Sequence, residues 1–363
     1  MTRNRLLKSS LIFLSTSLTA FQAQADEVVK IENFIGTINW ENGALSAEVE
    51  KNKKDTSIQK GEIFLIDGGI EDLSKDGCKG YYGRSSWSWG SKSRKGNFGG
   101  YKNLDSFPAL NLTFPDTTKL VIENAIIFTN GRPDVAKADL YFSQCGNVKL
   151  GDVSGDLSLI SRGSTDLEFG NAARIDIKAS GSGDVVGGSI SGEAKIASRG
   201  SSDVKLGDIG YLSAETSGSG DIEAGKISGP LKASSRGSGN FDVGDISGEF
   251  VASSSGSGDI KAGDILGDLR VKTRGSGDFE AGDIIANNVD MSSGGSSSMT
   301  LGDGKIENLI IIASGSSDVS LDADILNAEL RASGSSDINL ERVTGELTQK
   351  TSGSADISVS HRE

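Results

Sequence analysis

From residue 145 onward the chain repeats one phrase, Gly-Ser-Gly/Ser-Asp followed by an apolar residue. The Asp position falls at Asp166, Asp184, Asp203, Asp221, Asp259, Asp278, Asp318, Asp337 and Asp356, with Asn147, Asn240 and Ser298 standing in the same series. These twelve markers lie 19 residues apart on average, over more than 200 residues. Self-similarity at such a period means a solenoid or array, because each unit can bury its apolar face only against its neighbours.

Within each unit the apolar residues alternate. One and three residues after the marker stand Val148/Leu150, Leu167/Phe169, Val204/Leu206, Phe241/Val243, Val319/Leu321 and Ile338/Leu340. Period-two alternation marks a strand with one buried face. A glycine follows (Gly151, Gly207, Gly244), then an apolar position (Ile209, Ile227, Ile246, Ile265, Ile284), then another alternating pair such as Leu231/Ala233 or Leu269/Val271. No helix of ten residues fits such a unit, which excludes leucine-rich and ankyrin arrays, and a propeller blade needs about twice the length. The unit is one coil of a parallel β-helix. Coils stack at about 4.8 Å, so twelve make a rod roughly 55–60 Å long.

Composition agrees. The 363 residues include 49 Gly and 54 Ser but 4 Pro and 21 aromatics. Gly does not fall at every third position, which excludes collagen, and the ordered apolar alternation excludes a flexible linker. The 19-residue register places the small residues at coil corners, where they allow tight bends and close stacking.

Four residues before the marker, Arg162, Arg199, Arg236 and Arg274 alternate with Ser180, Ser217 and Ser255. Arg heads in adjacent coils would lie about 4.8 Å apart, and like charges directly opposite destabilise. The alternation is read as Arg relieving repulsion along the Asp column, ahead of a ligand-binding face. Each Asp is read as capping backbone amides at its own turn. Asn240 and Ser298 can take that role, whereas a Ca²⁺ site would lose carboxylate ligands. No metal or other cofactor is expected.

Residues 1–25 read as a secretory signal peptide: Arg3, Arg5 and Lys8, an apolar run over 11–18, and Ala23-Gln24-Ala25 before the cleavage point. The run is too short to span a bilayer, and no transmembrane segment is expected later. Removing the three signal bases takes the net charge from −13 to −16, which argues against nucleic acid as a partner. An exported chain, periplasmic or secreted, is expected, and its two cysteines, Cys78 and Cys145, are disulfide candidates.

An enzyme is not expected. The single His361 lies near the C-terminus, the acids follow the repeat rather than gathering, and Gly-Ser-Gly belongs to the repeat. The segment with binding character is 79–102, where Tyr81, Tyr82, Arg84, Trp87 and Trp89 are the ligand-binding candidates among interleaved bases. Aromatic rings stack on sugar faces and bases attract acidic groups, which fits an acidic glycan. The weightier reading is that these rings cap the open end of the rod. Nothing comparable is visible at the other end, so self-association through the C-terminal β-helix edge is expected.

The phrases Ser217–Ile222 and Ser255–Ile260, with the opening Val-Lys-Ile-Glu-Asn-Phe-Ile-Gly of residues 29–36, resemble the bacterial family called putative auto-transporter adhesin, head GIN domain. The resemblance covers most of 120–359 and the opening strand. It implies a right-handed parallel β-helix in the cell envelope, with a cell-surface or envelope protein or glycan as partner, and supplies no catalytic residues. A complete autotransporter is not expected, since no membrane barrel is read after the repeats. The expected organisation is a signal peptide (1–25), an N-terminal β-rich capping region (26–118), parallel β-helix repeats (119–360) and a tail (361–363). The functional expectation is an exported, non-enzymatic adhesin or envelope-interaction protein. The alternative is a polysaccharide-binding or polysaccharide-cleaving β-helix.

Overall fold

The computed structural model describes residues 27–51, 56–70, 72–73, 78 and 107–362. The described chain is all-β, a parallel β-solenoid of about 13 turns with ~19 residues per turn.

Each coil of the repeat has three sides. On the first, the residue after each marker stacks in one column, Val204 on Ile222, Phe241, Ile260, Phe279, Met299, Val319 and Ile338. The second side is short, with Ile209, Ile227, Ile246 and Ile265 bridged in parallel. On the third, Leu212, Leu231, Phe250, Leu269, Val289, Leu309 and Ala328 stack in register. These inward columns form one continuous apolar core. Large and small residues offset one another within it. Phe250 and Phe279 tilt together at 5.9 Å, while Ala252 lies two residues beyond Phe250 on the same inward face.

Corners are closed by buried hydroxyls. Ser198, Thr216, Ser235 and Ser254 are each almost fully buried and donate to the carbonyl four residues on, at 3.1–3.5 Å. This gives the serine richness a second role beyond small size, since a hydroxyl satisfies a buried carbonyl that would otherwise cost free energy.

The N-terminal region belongs to the same stack, in an order that differs from chain order. β1 (Val28–Asn42) is followed by β2 (Ser46–Lys51), β3 (Ser57–Lys60), β4 (Ile63–Asp67), β5 (Ala109–Phe114) and β6 (Lys119–Asn130). β1 runs parallel to β4 and β5 on one flank and to β6 on the other. β2 and β3 pair antiparallel with β5 and β4, so they cover the outer edge of the coil that β4 and β5 form. Beyond β6, β7 (Lys137–Phe142) and β8 (Cys145–Lys149) lead into the repeat.

β1 and β6 each bend at an asparagine in the left-handed region, Asn33 (φ 53°) and Asn124 (φ 47°). Asparagine tolerates this region better than most residues. The two stack, Asn124 donating to Asn33 Oδ1 at 2.7 Å. At the far end, Leu347–Gly353 and Asp356–Arg362 each pair with one neighbour among the described residues.

Candidate interaction surface

The disulfide joins Cys78 to Cys145 at a Cα separation of 6.1 Å. Cys145 opens β8 and packs with Ile35, Leu73, Phe107 and Ile126 in a small cluster separate from the main core. The bridge therefore ties Cys78, in the excursion between β4 and β5, to the third coil beyond the one that β4 and β5 form. Tyr81, Tyr82, Arg84, Trp87 and Trp89 fall in that excursion and lie outside the described residues. Among the described residues, β2 and β3 cover the edge at this end.

The marker carboxylates cap amides, but of the next coil rather than of their own turn. Asp184 N donates to Asp166 Oδ1 at 3.1 Å, and the ladder continues through Asp203, Asp221, Asn240, Asp259, Asp278 and Ser298 at 2.7–3.2 Å. A second ladder of the same kind, unseen in the sequence, runs through Asp134, Asp152, Asn171 and Ser189 and again through Asp245, Asp264, Asp283 and Asp303. Burial pushes the Asp166 carboxyl above its ordinary range, with Asp184 adding repulsion and the amide bond from Asp184 opposing both. Asp184 is raised in the same way, with Asp203 as its neighbour.

The first and third sides of the repeat handle charge differently. On the first side bases face acids in the adjacent coil: Lys149 with Glu168 at 2.9 Å, Lys205 with Glu223, and Lys261 with Glu280 at 3.5 Å. The third side, over the coils from Leu157 to Thr273, has three outward columns. The first holds Ser158, Asp176, Lys195, Ser213, Lys232, Val251 and Arg270. Two residues further along stand Ile160, Lys178, Ala197, Glu215, Ser234, Ser253 and Lys272. The last is the Arg/Ser column from Arg162 to Arg274. Together they carry nine bases against two acids, Asp176 and Glu215.

Five of those bases, Arg162, Arg199, Lys232, Lys272 and Arg274, form no ion pair among the described residues. Arg162 lies over the Tyr141 ring at 5.5 Å, and Arg236 pairs with Glu215. The Arg heads with defined partners thus turn toward the third side, away from the role of neutralising the marker Asp column. Between the bases runs a shallow trough of about 480 Å³ whose floor includes Ala197, Ser213, Ser234 and Ser253. A second trough, of about 610 Å³, lies on the second side near exposed Ile285 and Leu326.

The basic side has a sequence signature that local reading passed over. Lys195, Lys232 and Arg270 each stand four residues before Arg199, Arg236 and Arg274. Only the strand register shows that both members point outward on one face.

A family model described as "putative auto-transporter adhesin, head GIN domain" matches residues 93–226 and 224–306, more than half of the chain. The chain belongs to this family. The two matches overlap at residues 224–226 within the repeat of this head GIN chain, and the coils continue past 306 in parallel pairing to Arg362, with one register shift between Leu321 and Asp324. No curated protein and no solved structure matches it. No helix among the described residues is long and apolar enough to cross a membrane.

Proposed function

We propose that this chain is an exported, non-enzymatic envelope protein that presents a rigid solenoid surface to cell-surface molecules. The observation that carries the reading is the family match over residues 93–306. The architecture supports it. Inward side chains are committed to coil packing, marker carboxylates to the ladders, and the two troughs are shallow and open. A disulfide fits an oxidising compartment.

Fractionation of expressing cells, with binding of the purified chain to intact cell envelopes, tests the proposal. Recovery outside the cytoplasm and saturable envelope binding are expected; cytoplasmic retention or no saturable binding overturns it. Association of two copies through Leu347–Gly353 and Asp356–Arg362 belongs to the same reading, since unpaired strand edges take up further strands. Sedimentation velocity reads it, and a monomer at all concentrations removes it.

The second reading, a polysaccharide-binding or polysaccharide-cleaving solenoid, is favoured by the trough on the basic side. Incubation with a panel of acidic glycans separates binding from cleavage, because product formation requires catalysis. Loss of binding in Trp87→Ala and Trp89→Ala without loss of folding would assign the site to the aromatic segment.

A further inference from the structure

We propose that the third side of the solenoid, over the coils from Leu157 to Thr273, binds a single extended carboxylated glycan lying along the rod axis. This rests on the reading that the molecule contacts surface material, and names the face and the ligand class.

The charge distribution points there first. The whole chain has a net charge of −13, yet this strip holds nine bases and two acids. The same repeat neutralises its bases on the first side, coil against coil, whereas on this face Arg199, Lys232, Lys272 and Arg274 form no ion pair among the described residues. A strip of one sign on a low-dielectric wall concentrates the opposite charge along it.

The spacing points to a chain rather than a surface. Lys195 with Arg199, Lys232 with Arg236, and Arg270 with Arg274 place paired bases on every second coil, so cation rows recur about every 10 Å. An extended glycan charged once per disaccharide presents its anions at a comparable interval. Duplex DNA carries a charge about every 1.7 Å of its axis, far denser than these rows. The strip is also narrow. The marker Asp column follows it at one corner, and Glu193, Glu249 and Asp268 stand at the other, so a broad anionic membrane meets repelling charge on both flanks.

The shape completes the argument. The trough of about 480 Å³ has small residues on its floor, with Ser213, Ser234 and Ser253 offering hydroxyls where a sugar chain would lie, and the two acids that line it, Asp176 and Glu215, are each paired with a base, Lys178 and Arg236. Binding through charge and hydroxyls, without a stacking ring, is expected to be salt-sensitive.

The test measures binding of the full chain to hyaluronate, which carries one carboxylate per disaccharide, with dextran as the neutral control. The variant Lys232→Ser/Lys272→Ser/Arg274→Ser places in each column the residue that the preceding coil already carries, Ser213, Ser253 and Ser255, so the fold tolerates it. Lys149→Ser/Lys205→Ser/Lys261→Ser makes the same charge change on the first side. The third-side variant should bind about tenfold more weakly and the control within about twofold, with wild-type binding falling as salt rises. Equal weakening by both variants, no wild-type binding to hyaluronate, or tighter binding to duplex DNA or phosphatidylserine vesicles overturns the proposal. Saturable envelope binding by a wild-type chain that ignores hyaluronate would sink the groove and leave the broader reading standing.

Discussion

At Asp166 one carboxylate serves two opposed demands. It accepts the Asp184 amide, and burial beside the Asp184 charge raises its pKa. A native-state pKa above the unfolded value means the fold binds the proton more tightly. The Asp166 contribution is therefore most favourable at pH below the unfolded carboxylate pKa and is lost as pH rises through the raised native value. Asp166→Asn keeps the acceptor, as Asn240 does for Asp259 at 2.9 Å, and removes the charge. Thermal melts across pH should show no difference between the Asp166→Asn variant and the wild-type chain in acid, and a growing advantage for the substitution toward neutrality; a constant difference would contradict the burial account. Gly237 meets a different demand. A Cβ there collides with the backbone carbonyl of Gly218 in the coil below, and one at Gly256 collides with that of Gly237. Backbone cannot yield as a side-chain tip does, so Gly237→Ala should cost more than about 2 kcal/mol in denaturant titration. The sequence revealed which residues line the corners, because composition and period are local. It hid the partner of each Asp, because the hydrogen bond spans 18 to 20 residues to the next coil.

Among elements, β1 was the least legible. Its parallel partner β6 starts at Lys119, and nothing local announces a pairing across some 90 residues. A faint sign exists in the shared Ile-Glu-Asn at 31–33 and 122–124, where Ile31 pairs with Ile122 and Glu32 with Glu123. The Cys78–Cys145 pairing was readable because the expectation of export, with two cysteines, leaves one choice, and the bridge holds Cys78 against β8. In chain-entropy terms a bridge closing a loop of this length contributes about 4 kcal/mol. Cys78→Ser/Cys145→Ser should therefore raise amide exchange around Ile35, Phe107 and Ile126 while leaving the coils from Leu212 to Thr273 protected, since each solenoid unit leans mainly on its neighbours. Uniform loss of protection along the chain would contradict that locality. The basic side shows the same limit on sequence reading. Arg162, Arg199, Arg236 and Arg274 were visible as a column, but their face became clear only once Lys232 and Lys272 stood beside them in register.

For the whole molecule, the 19-residue period asserts that one repeat is one interchangeable coil. Deleting residues 221–239 joins Gly220 to Asn240 and recreates the Ser-Gly-marker-apolar phrase. It also removes Arg236, so the Ser217 and Ser255 coils become neighbours without juxtaposing two Arg. Spin labels at Ser180 and Ser314, attached by chemistry that spares the disulfide, sit in the same corner column seven coils apart. Dipolar spectroscopy should find their separation falling from about 34 Å to about 29 Å, the loss of a single strand spacing, with cooperative unfolding retained. An unfolded product, or a folded one whose label distance does not shorten by about that step, would contradict the stacked-coil account from which the ladders, the basic side and its proposed ligand all follow.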